Sequence, residues 1–253
     1  MLALERHRII LEQLKANGVV SVNKLSAELK VTEETIRRDL EKLEKQQQLL
    51  RTHGGAVPLE GNMVDLSLDL RKNTNIEAKQ RLAVEATKHI VPGDVIFLDA
   101  STTTFCMSKE LKKMKNITII TNSIRVINEL AGNDNIKVIA VGGKVSNNQS
   151  LVGSLAEENI EKSYFANKMF FSSKGVTLDA GILDSNEQEC IIKQKMRKNT
   201  STCFYLCDDS KIGKIGFIKL FSFSEINYFI TNASLDEQWK SKFAEYNINL
   251  TEI

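Results

Sequence analysis

The chain has 253 residues, of which 42% are hydrophobic and 26% charged, and its formal net charge is +2. This length allows one large domain or two ordinary ones, and the composition is that of a soluble globular protein. The charge is too small to indicate nucleic-acid binding by itself. No run approaches the roughly 18 apolar residues of a membrane span, and early charged residues argue against a secretory signal. We therefore expect a cytoplasmic protein with no membrane partner.

The cysteines and histidines do not indicate a metal or redox site. The four cysteines show no paired spacing and the three histidines are scattered along the chain. Thiols stay reduced in the cytoplasm, where such cysteines usually serve as small buried side chains. We expect neither a metal ion nor a cofactor. The residues concerned are Cys106, Cys190, Cys203, Cys207, His7, His53 and His89.

The first 57 residues predict three short helices and a β-hairpin. The first helix spans about 4–17 and ends before Gly18, and Ser21 is suited to cap the second. Thr32 is suited to cap the third, which begins with two acidic residues. The segment 49–57 contains a glycine pair after a strand-like run and predicts a hairpin wing. The apolar stripes of the second and third helices comprise Val22, Leu25, Leu29, Ile36, Leu40 and Leu43.

A change of pattern separates this part from the rest of the chain. Residues 58–74 are polar and mixed and predict a linker. From 75 to 253 apolar strands alternate with helices, which predicts a mostly parallel sheet covered on both faces. We expect strands at 95–99, 117–122, 137–143, 168–173, 202–208, 226–231 and 248–253. Helices are expected at 76–90, 105–113, 124–131, 154–162, 186–198 and 235–245, with Ser185 and Gln188 forming a capping box before 186–198.

The third helix carries the residues that suit DNA binding. Its exposed side presents arginines near the N-terminal half, where a recognition helix reads bases, and arginine can bond guanine through two hydrogen bonds. The alternative is an ordinary surface helix, because segment 32–45 has one more acidic than basic residue and Glu34 and Arg38 are spaced as an ion pair. The candidate DNA contacts are Thr32, Thr35, Arg37, Arg38, Lys42, and Arg51 and His53 of the wing.

Polar residues follow several of the predicted strands. Ligands of open parallel sheets bind beyond the carboxyl ends of the strands, and a helix N-terminus with hydroxyl groups suits a phosphate. Taken singly, a Ser/Thr run is more often a helix cap and a glycine pair a plain turn. Their shared placement favours a small anionic ligand. The candidate ligand residues are Asp99, Ser101, Thr102, Thr103, Thr104, Asn122, Gly142, Gly143, Lys174, Asp208 and Lys211.

Several motifs resemble those of the DeoR family of bacterial sugar-metabolism repressors. The third helix matches the family's T-x-x-T-I-R-R-D-L core at 32–40, after Arg6, Ile10 and Leu14, and HGGAV at 53–57 resembles its wing. Later blocks are also similar to the family: DASTTT (99–104), GGKV (142–145), LVG (151–153), SSKGV (172–176), GILDSNEQE (181–189) and DDSKIG (208–213).

This resemblance implies a winged helix-turn-helix domain (1–57), a linker (58–74) and an effector domain (75–253) similar to ribose-5-phosphate isomerase. It further implies a repressor of a sugar-metabolism operon that binds double-stranded operator DNA as a homodimer or homotetramer. The implied inducer is a phosphorylated sugar. The residues most strongly implicated in binding it are Asp99, Thr102, Thr103, Lys174 and Lys211.

Three positions depart from the family pattern. Ser101 stands where glycine is usual, and Asn167 and Asn232 stand where aspartate is common, which leaves the ligand open. The alternative function is an isomerase-like sugar-phosphate enzyme that carries a DNA-binding domain. Such an enzyme needs a carboxylate base and a group that stabilises an enediolate, and Asp99, Asp208, Asp209 and Lys211 have suitable side chains. Nothing in their spacing requires catalysis, so we expect a regulator and not an enzyme.

Overall fold

A computed structural model describes residues 2–17, 20–46, 48–52, 54–57 and 68–253. The chain divides into two compact units, Met1–Leu70 and Arg71–Ile253. None of the helices in the described ranges is both long enough and apolar enough to cross a bilayer.

The first unit consists of three helices and a small antiparallel sheet. In chain order these are α1 (Ala3–Asn17), β1 (Val20–Ser21), α2 (Val22–Leu29), α3 (Glu33–Lys45), β2 (Leu50–Thr52) and β3 (Gly55–Val57). The sheet order is β1-β3-β2, so β3 lies in the middle. The three predicted helices and the hairpin are confirmed. The sequence did not predict β1, because a strand of two residues has no detectable periodicity.

The caps and the apolar core of the first unit follow the sequence. Ser21 accepts a hydrogen bond from the backbone N–H of Lys24, and Thr32 accepts one from that of Thr35. The predicted stripes of α2 and α3 are buried together with two residues of α1, Ile10 and Leu14. Burial of this shared stripe leaves the opposite side of α3 facing solvent.

The second unit is an α/β structure. Its helices are α4 (Leu68–Asn73, which crosses the boundary between the units), α5 (Ile76–Thr87), α6 (Thr102–Leu111), α7 (Ile124–Leu130), α8 (Ser154–Ser163), α9 (Glu187–Lys198) and α10 (Glu237–Glu245). Its strands are β4 (Val95–Leu98), β5 (Ile117–Thr121), β6 (Ile136–Ala140), β7 (Lys144–Val145), β8 (Leu151–Val152), β9 (Ala166–Phe171), β10 (Gly175–Thr177), β11 (Gly181–Asp184), β12 (Thr200–Cys207), β13 (Ile218–Phe221), β14 (Tyr228–Thr231) and β15 (Asn249–Glu252). Of the predicted linker, residues 58–67 lie outside the described ranges, and α4 follows them.

A parallel sheet forms the centre of this unit, as predicted. Within the described residues it has seven strands in the order β15-β14-β12-β9-β4-β5-β6. The chain starts at β4, builds β5 and β6 on one side, and then returns to place β9 on the other side of β4. Neighbouring strands whose connections leave in opposite directions open a crevice at their carboxyl ends, where ligands bind in such sheets. By this rule, the crevice of this unit lies between β4 and β9.

Two small antiparallel sheets were not predicted. One has the order β10-β11-β13, and the other is the hairpin of β7 and β8. Their strands have two to four residues, too few for an alternating pattern to stand out. The hairpin places the turn of residues 146–150 beside the carboxyl end of β5, where Ser123 and Ser150 form an isolated bridge.

Two predicted helix starts are wrong. Helix α9 is capped by Asn186, whose side chain accepts from the backbone N–H of Glu189 at 3.0 Å, and not by Ser185 with Gln188. Helix α6 begins at Thr102 and not near 105. β-branched residues lower helix propensity, but the Ser101 hydroxyl caps this helix by accepting from the N–H of Thr104 at 3.2 Å.

Candidate functional site

The exposed side of α3 carries two arginines in ion pairs with the preceding turn. Arg37 Nη2 lies 3.0 Å from Glu33 Oε2, and Arg38 Nε lies 3.2 Å from Glu34 Oε1. The arginine side chains are 52% and 73% exposed, respectively. Pairs this exposed contribute about 0–1 kcal/mol. Phosphate or base acceptors can therefore replace the glutamates at little cost.

The other candidate DNA contacts have different surroundings. Thr32 and Thr35 are joined through their hydroxyl oxygens at 2.9 Å, so the Thr32 side chain is used to cap α3. Lys42 is exposed. Arg51 of β2 is tied to α3, because its backbone N–H donates to Glu44 Oε1 at 3.0 Å. The predicted contact His53 lies outside the described residues.

A buried carboxylate on the inner face of α3 was not among the predicted functional residues. Asp39 accepts hydrogen bonds from Arg6 Nε at 2.7 Å and from His7 Nε2 at 3.0 Å, and it is 3% exposed. Burial opposes the ionised form, but the hydrogen bonds from Arg6 and His7 outweigh it and lower the pKa of Asp39. This cluster ties α1 to α3. The signal was present, since Arg6 and Asp39 both belong to the motif, but their pairing depends on how the helices pack.

Asp99 organises the crevice between β4 and β9. It is fully buried. Its Oδ1 accepts from Thr104 Oγ1 at 2.7 Å and from the N–H of Ser101 at 3.2 Å, while Oδ2 accepts from the N–H of Ser172 at 3.3 Å. These bonds hold the loop after β4 against the loop after β9. Asp99 and Thr104 thus position the start of α6.

The Lys211 ammonium joins groups from three strand ends. Its Nζ donates to Thr103 Oγ1 at 3.3 Å, donates to Ser172 Oγ, and lies 3.3 Å from Asp208 Oδ2. Thr103 follows β4, Ser172 follows β9 and Asp208 follows β12, three adjacent strands of the sheet. A cation and hydroxyl groups at one sheet edge provide the donors that a phosphate requires.

Asp208 is the carboxylate of this group. Its side chain is 1% exposed and accepts from Asn75 Nδ2 at 3.1 Å and from the hydroxyl of Ser210. Burial disfavours the charge, but Lys211 and these hydrogen bonds outweigh it and lower the pKa of Asp208 to about 2. The carboxylate is therefore ionised at neutral pH and neutralises much of the Lys211 charge.

The remaining candidates are spread along the same edge. Asn122 follows β5 and is 2% exposed, and its Oδ1 has no hydrogen-bond partner among the described residues. Lys174 is half-buried and lies between β9 and β10. Thr102 is buried in the first turn of α6.

The glycine pair serves the packing of the β7–β8 hairpin. Gly143 has a φ of +107°, and a Cβ there would lie 2.6 Å from Val152 O. Gly142 also has a positive φ, +76°, and faces α8. The need for glycine at both positions is therefore structural.

Buried lysines are the functional-site feature that the sequence analysis missed. Lys193 Nζ donates to Asp184 Oδ2 at 2.6 Å and to Ser172 O at 2.9 Å, and lies 3.4 Å from Asp99 Oδ2. Burial opposes its charge, but Asp184, Asp99 and Glu189 outweigh it and keep the pKa of Lys193 above its usual value. Lys193 is thus a fixed positive charge beneath the crevice.

Lys79 is the second of these buried lysines. Its Nζ donates to the carbonyl oxygens of Arg71 and Thr74 at 2.6 and 2.7 Å, which anchors the segment that precedes α5. Burial, reinforced by the positive charge of Lys211, lowers the pKa of Lys79 to about 8. No sequence motif marks it, because α5 reads as an ordinary amphipathic helix.

The three departures from the family pattern have local explanations. Ser101 caps α6 with a φ of −68°, so this position does not need glycine. Asn167 Oδ1 accepts from the N–H of Val95 at 2.8 Å, near the amino ends of β4 and β9, which is the opposite edge of the sheet from the crevice. Asn232 Oδ1 accepts from the N–H of Asp209 at 2.9 Å.

A helix-turn-helix unit that exposes two arginines on its third helix, followed by an α/β unit with polar groups at one sheet edge, defines a ligand-sensing transcriptional regulator. The family model described as "DeoR-like helix-turn-helix domain" matches residues 6–61, and that described as "DeoR C terminal sensor domain" matches residues 74–233. The chain belongs to the DeoR family of transcriptional regulators.

Bacterial relatives agree with this assignment. The HTH-type transcriptional regulator YulB of Bacillus subtilis (strain 168) is 37% identical and covers 100% of this chain and 98% of its own length. The glycerol-3-phosphate regulon repressor of Escherichia coli (strain K12) is 29% identical over 90% of each chain. Both are transcriptional regulators and not enzymes. The structure of ribose 5-phosphate isomerase A from Methanocaldococcus jannaschii covers 55% of each chain with a TM-score of 0.42 and 16% identity.

Proposed function

We propose that the chain represses an operon of sugar metabolism and is released from its operator by a phosphorylated sugar. Among the relatives, one is named as the repressor of a glycerol-3-phosphate regulon, which supports both the sign of regulation and a phosphate ester as effector. The proposed domains are a DNA-binding domain at 1–57, a linker at 58–74 and an effector domain at 75–253.

The observation that carries the effector proposal is the environment of Lys211. Its ammonium contacts two hydroxyl groups and one carboxylate, which belong to three adjacent strand ends. A phosphate placed there accepts from Lys211 and from the hydroxyl group of Thr103, and the N-terminus of α6 adds a favourable dipole. Sugar hydroxyl groups find carboxylate and amide partners along the same edge. Asn122, Lys174 and Asp208 belong to this proposed site.

The DNA contacts of the proposal lie on α3 and the wing. Arg37 and Arg38 exchange their glutamate partners for bases and phosphates of the major groove. Thr35 and Lys42 add contacts from the same helix. In the wing, Arg51 and His53 contact the adjacent backbone or the minor groove. Thr32 contributes by fixing the start of α3.

Repression and release require two states of an oligomer. A homodimer, or a homotetramer made of two dimers, places two α3 helices on half-sites one helical turn or a multiple of it apart. The effector must bind the released state more tightly, and a shift from 1:99 to 99:1 takes about 5.5 kcal/mol. The linker is the segment through which the effector domain acts on the spacing of the helices.

The experiment is a titration of the full chain on operator DNA. An operator is first selected from fragments that flank the gene, and anisotropy of the labelled operator is then followed while sugar phosphates are added, with the matching free sugars as controls. We expect one or more phosphorylated sugars to release the DNA and the free sugars to have no effect. Lys211→Ala should bind the operator as the wild type does and should resist release.

Three results would contradict the proposal. Turnover of a sugar phosphate by the purified chain, abolished in Asp99→Asn, would favour the isomerase-like alternative. If free sugars released the DNA as readily as their phosphates do, the phosphate group would have no part in effector recognition. Normal release in Lys211→Ala would remove this lysine from the site.

A further inference from the structure

A second polar cluster lies along the crevice from Lys211 and is centred on Glu189 of α9. The carboxyl group is buried, and its Oε1 accepts from Ser150 Oγ at 2.7 Å. Its Oε2 forms no hydrogen bond within the part of the chain that the structure describes. Burial raises the pKa of Glu189, although Lys193 and the bond from Ser150 reduce this effect. A carboxyl group that is mostly removed from water is stabilised when a ligand donates a hydrogen bond to it.

The turn of residues 146–150 holds this carboxyl group in place. The hydroxyl oxygens of Ser146 and Ser150 lie 2.7 Å apart. Since Ser150 donates its proton to Glu189, Ser146 is the donor to Ser150. The backbone N–H of Asn148 donates to Ser146 Oγ at 3.1 Å, and Arg71 Nη2 donates to Asn148 Oδ1 at 2.9 Å. The turn therefore contacts Glu189 of α9 on one side and Arg71 of α4 on the other.

Glu189 and Lys211 border the same region of the crevice. Lys193, one turn after Glu189 on α9, donates to the carbonyl oxygen of Ser172, and Lys211 donates to the hydroxyl group of the same serine. The positive charge of Arg71 lowers the pKa of both Glu189 and Lys79, and the charge of Lys211 also lowers that of Lys79. The two ends of the crevice are thus connected through shared neighbours.

A buried acceptor without a partner lies next to the turn. The backbone carbonyl oxygen of Asn122 accepts from the N–H of Leu151 at 2.7 Å, and the Asn122 side-chain Oδ1 is buried without a hydrogen bond among the described residues. The buried acceptor Asn122 Oδ1 and the carboxyl group of Glu189 therefore lie on either side of Ser150. Hydroxyl groups of a polyol are donors of the right kind for both.

We propose that Glu189, held by the turn of residues 146–150, is the specificity-determining residue of the effector site and hydrogen-bonds a sugar hydroxyl group at the end of the ligand away from the phosphate. This inference rests on the proposed function, in which Lys211 binds the phosphate. The ligand class is a phosphorylated polyol or sugar with a free hydroxyl group at the far end. A small phosphate such as inorganic phosphate occupies only the Lys211 end.

The test measures binding by calorimetry to the full chain with inorganic phosphate, glycerol 3-phosphate, ribose 5-phosphate, fructose 1-phosphate and glucose 6-phosphate, together with deoxy analogues of the tightest binder. Glu189→Gln and Ser150→Ala are compared with the control Glu187→Gln, which changes an exposed residue in the first turn of the same helix. Thermal unfolding verifies that each variant is folded.

We expect Glu189→Gln to weaken the tightest sugar phosphate by about tenfold to a hundredfold, the effect of one hydrogen bond to a charged group. Inorganic phosphate should bind with unchanged affinity. One deoxy analogue should bind the wild type more weakly than the parent sugar phosphate does, by a similar factor. In Glu189→Gln the analogue and the parent should bind with nearly equal affinity, because the variant already lacks the hydrogen bond. Ser150→Ala should shift the same selectivity less strongly.

Other outcomes separate this inference from the proposed function. Equal losses for inorganic phosphate and sugar phosphate would give Glu189 a structural role only, and unchanged selectivity in both variants would exclude it from the site. Either result would overturn the inference and leave the proposed function standing. If no phosphorylated sugar binds the wild type, the proposed function fails and this inference fails with it.

Discussion

Arg6 and Asp39 are joined by two hydrogen bonds, from Nε to Oδ2 at 2.7 Å and from Nη2 to Oδ1 at 3.2 Å, although they lie 33 positions apart. This relationship connects the start of the chain to the recognition helix. Arginine and carboxylate match in geometry, so the pair fixes orientation as well as distance. The arginines on the outer face of α3 are therefore presented by a helix that is anchored from behind.

Asp39→Ala should destabilise the first unit by roughly 3–5 kcal/mol, because it leaves a partly buried arginine without its carboxylate. The pKa of Asp39 is lowered, so its contribution is present above the unfolded-state pKa and is lost as the pH falls through the folded-state value. Circular dichroism should show an earlier transition in denaturant. Fluorescence of Trp239, the one tryptophan of the chain and part of the second unit, should be unchanged. The control Glu41→Gln alters a half-buried residue of the same helix. Equal stability of the two variants would contradict the anchoring role.

Arg38→Ala should weaken operator binding by about tenfold to a hundredfold while effector affinity stays the same. The arginine is 73% exposed, so its removal leaves the core of the first unit intact. Anisotropy titrations of the labelled operator at a fixed salt concentration measure the change. Glu34→Ala is the matched variant, since it removes the ion-pair partner and should not weaken binding. Loss of operator affinity in both variants would indicate damage to α3 instead of a lost DNA contact.

Binding of a phosphorylated effector at pH 8 should be accompanied by proton uptake at Lys79. The pKa of Lys79 is about 8, in part because Lys211 is positively charged. An anion at Lys211 stabilises the charged form and raises the pKa of Lys79, so its protonated fraction increases. Affinity should accordingly fall as the pH rises above 8. Calorimetry in buffers with different ionisation enthalpies measures the uptake, which Lys79→Met should abolish and Lys88→Met, at an exposed lysine, should preserve. Binding without proton uptake at this pH would place the anion away from Lys79 and Lys211.

Gly143→Ala should destabilise the second unit by roughly 2–4 kcal/mol, because the added Cβ meets a backbone oxygen and the φ is unfavourable. That Cβ would lie 2.6 Å from Val152 O. Gly132→Ala is the comparison, since its φ is +78° but nothing lies within 4 Å of its Cβ. It should cost about 1 kcal/mol through conformation alone. Denaturant midpoints from Trp239 fluorescence give both values, and similar losses would show that strain and not packing governs Gly143.

The features that sequence analysis predicted well are those with local causes. The Thr32 cap, the stripe of α3 and the parallel arrangement of the sheet follow from spacing within short segments. The start of α9 was missed because Ser185 and Asn186 are both good caps, and only the packed structure selects Asn186. The short strand β1 was missed because it exists through pairing with β3 across the hairpin.

The candidate effector site was predicted in part for the same reason. Strand ends can be read along the chain, so Lys211, Thr103 and Asp208 were identified as members of one sheet edge. Glu189 and Lys193 were not, because they lie within a helix and approach the crevice only through the packing of α9. Gly142 and Gly143 were included, and the structure gives their conformation a packing explanation instead.

Asp208 is a built-in competitor for the ammonium of Lys211. Any incoming anion has to compete for this ammonium with an internal carboxylate that is already ionised, which lowers the net affinity of the site for anions. A monovalent anion carries no more charge than this carboxylate, so the competition should favour a doubly charged anion such as a phosphate monoester.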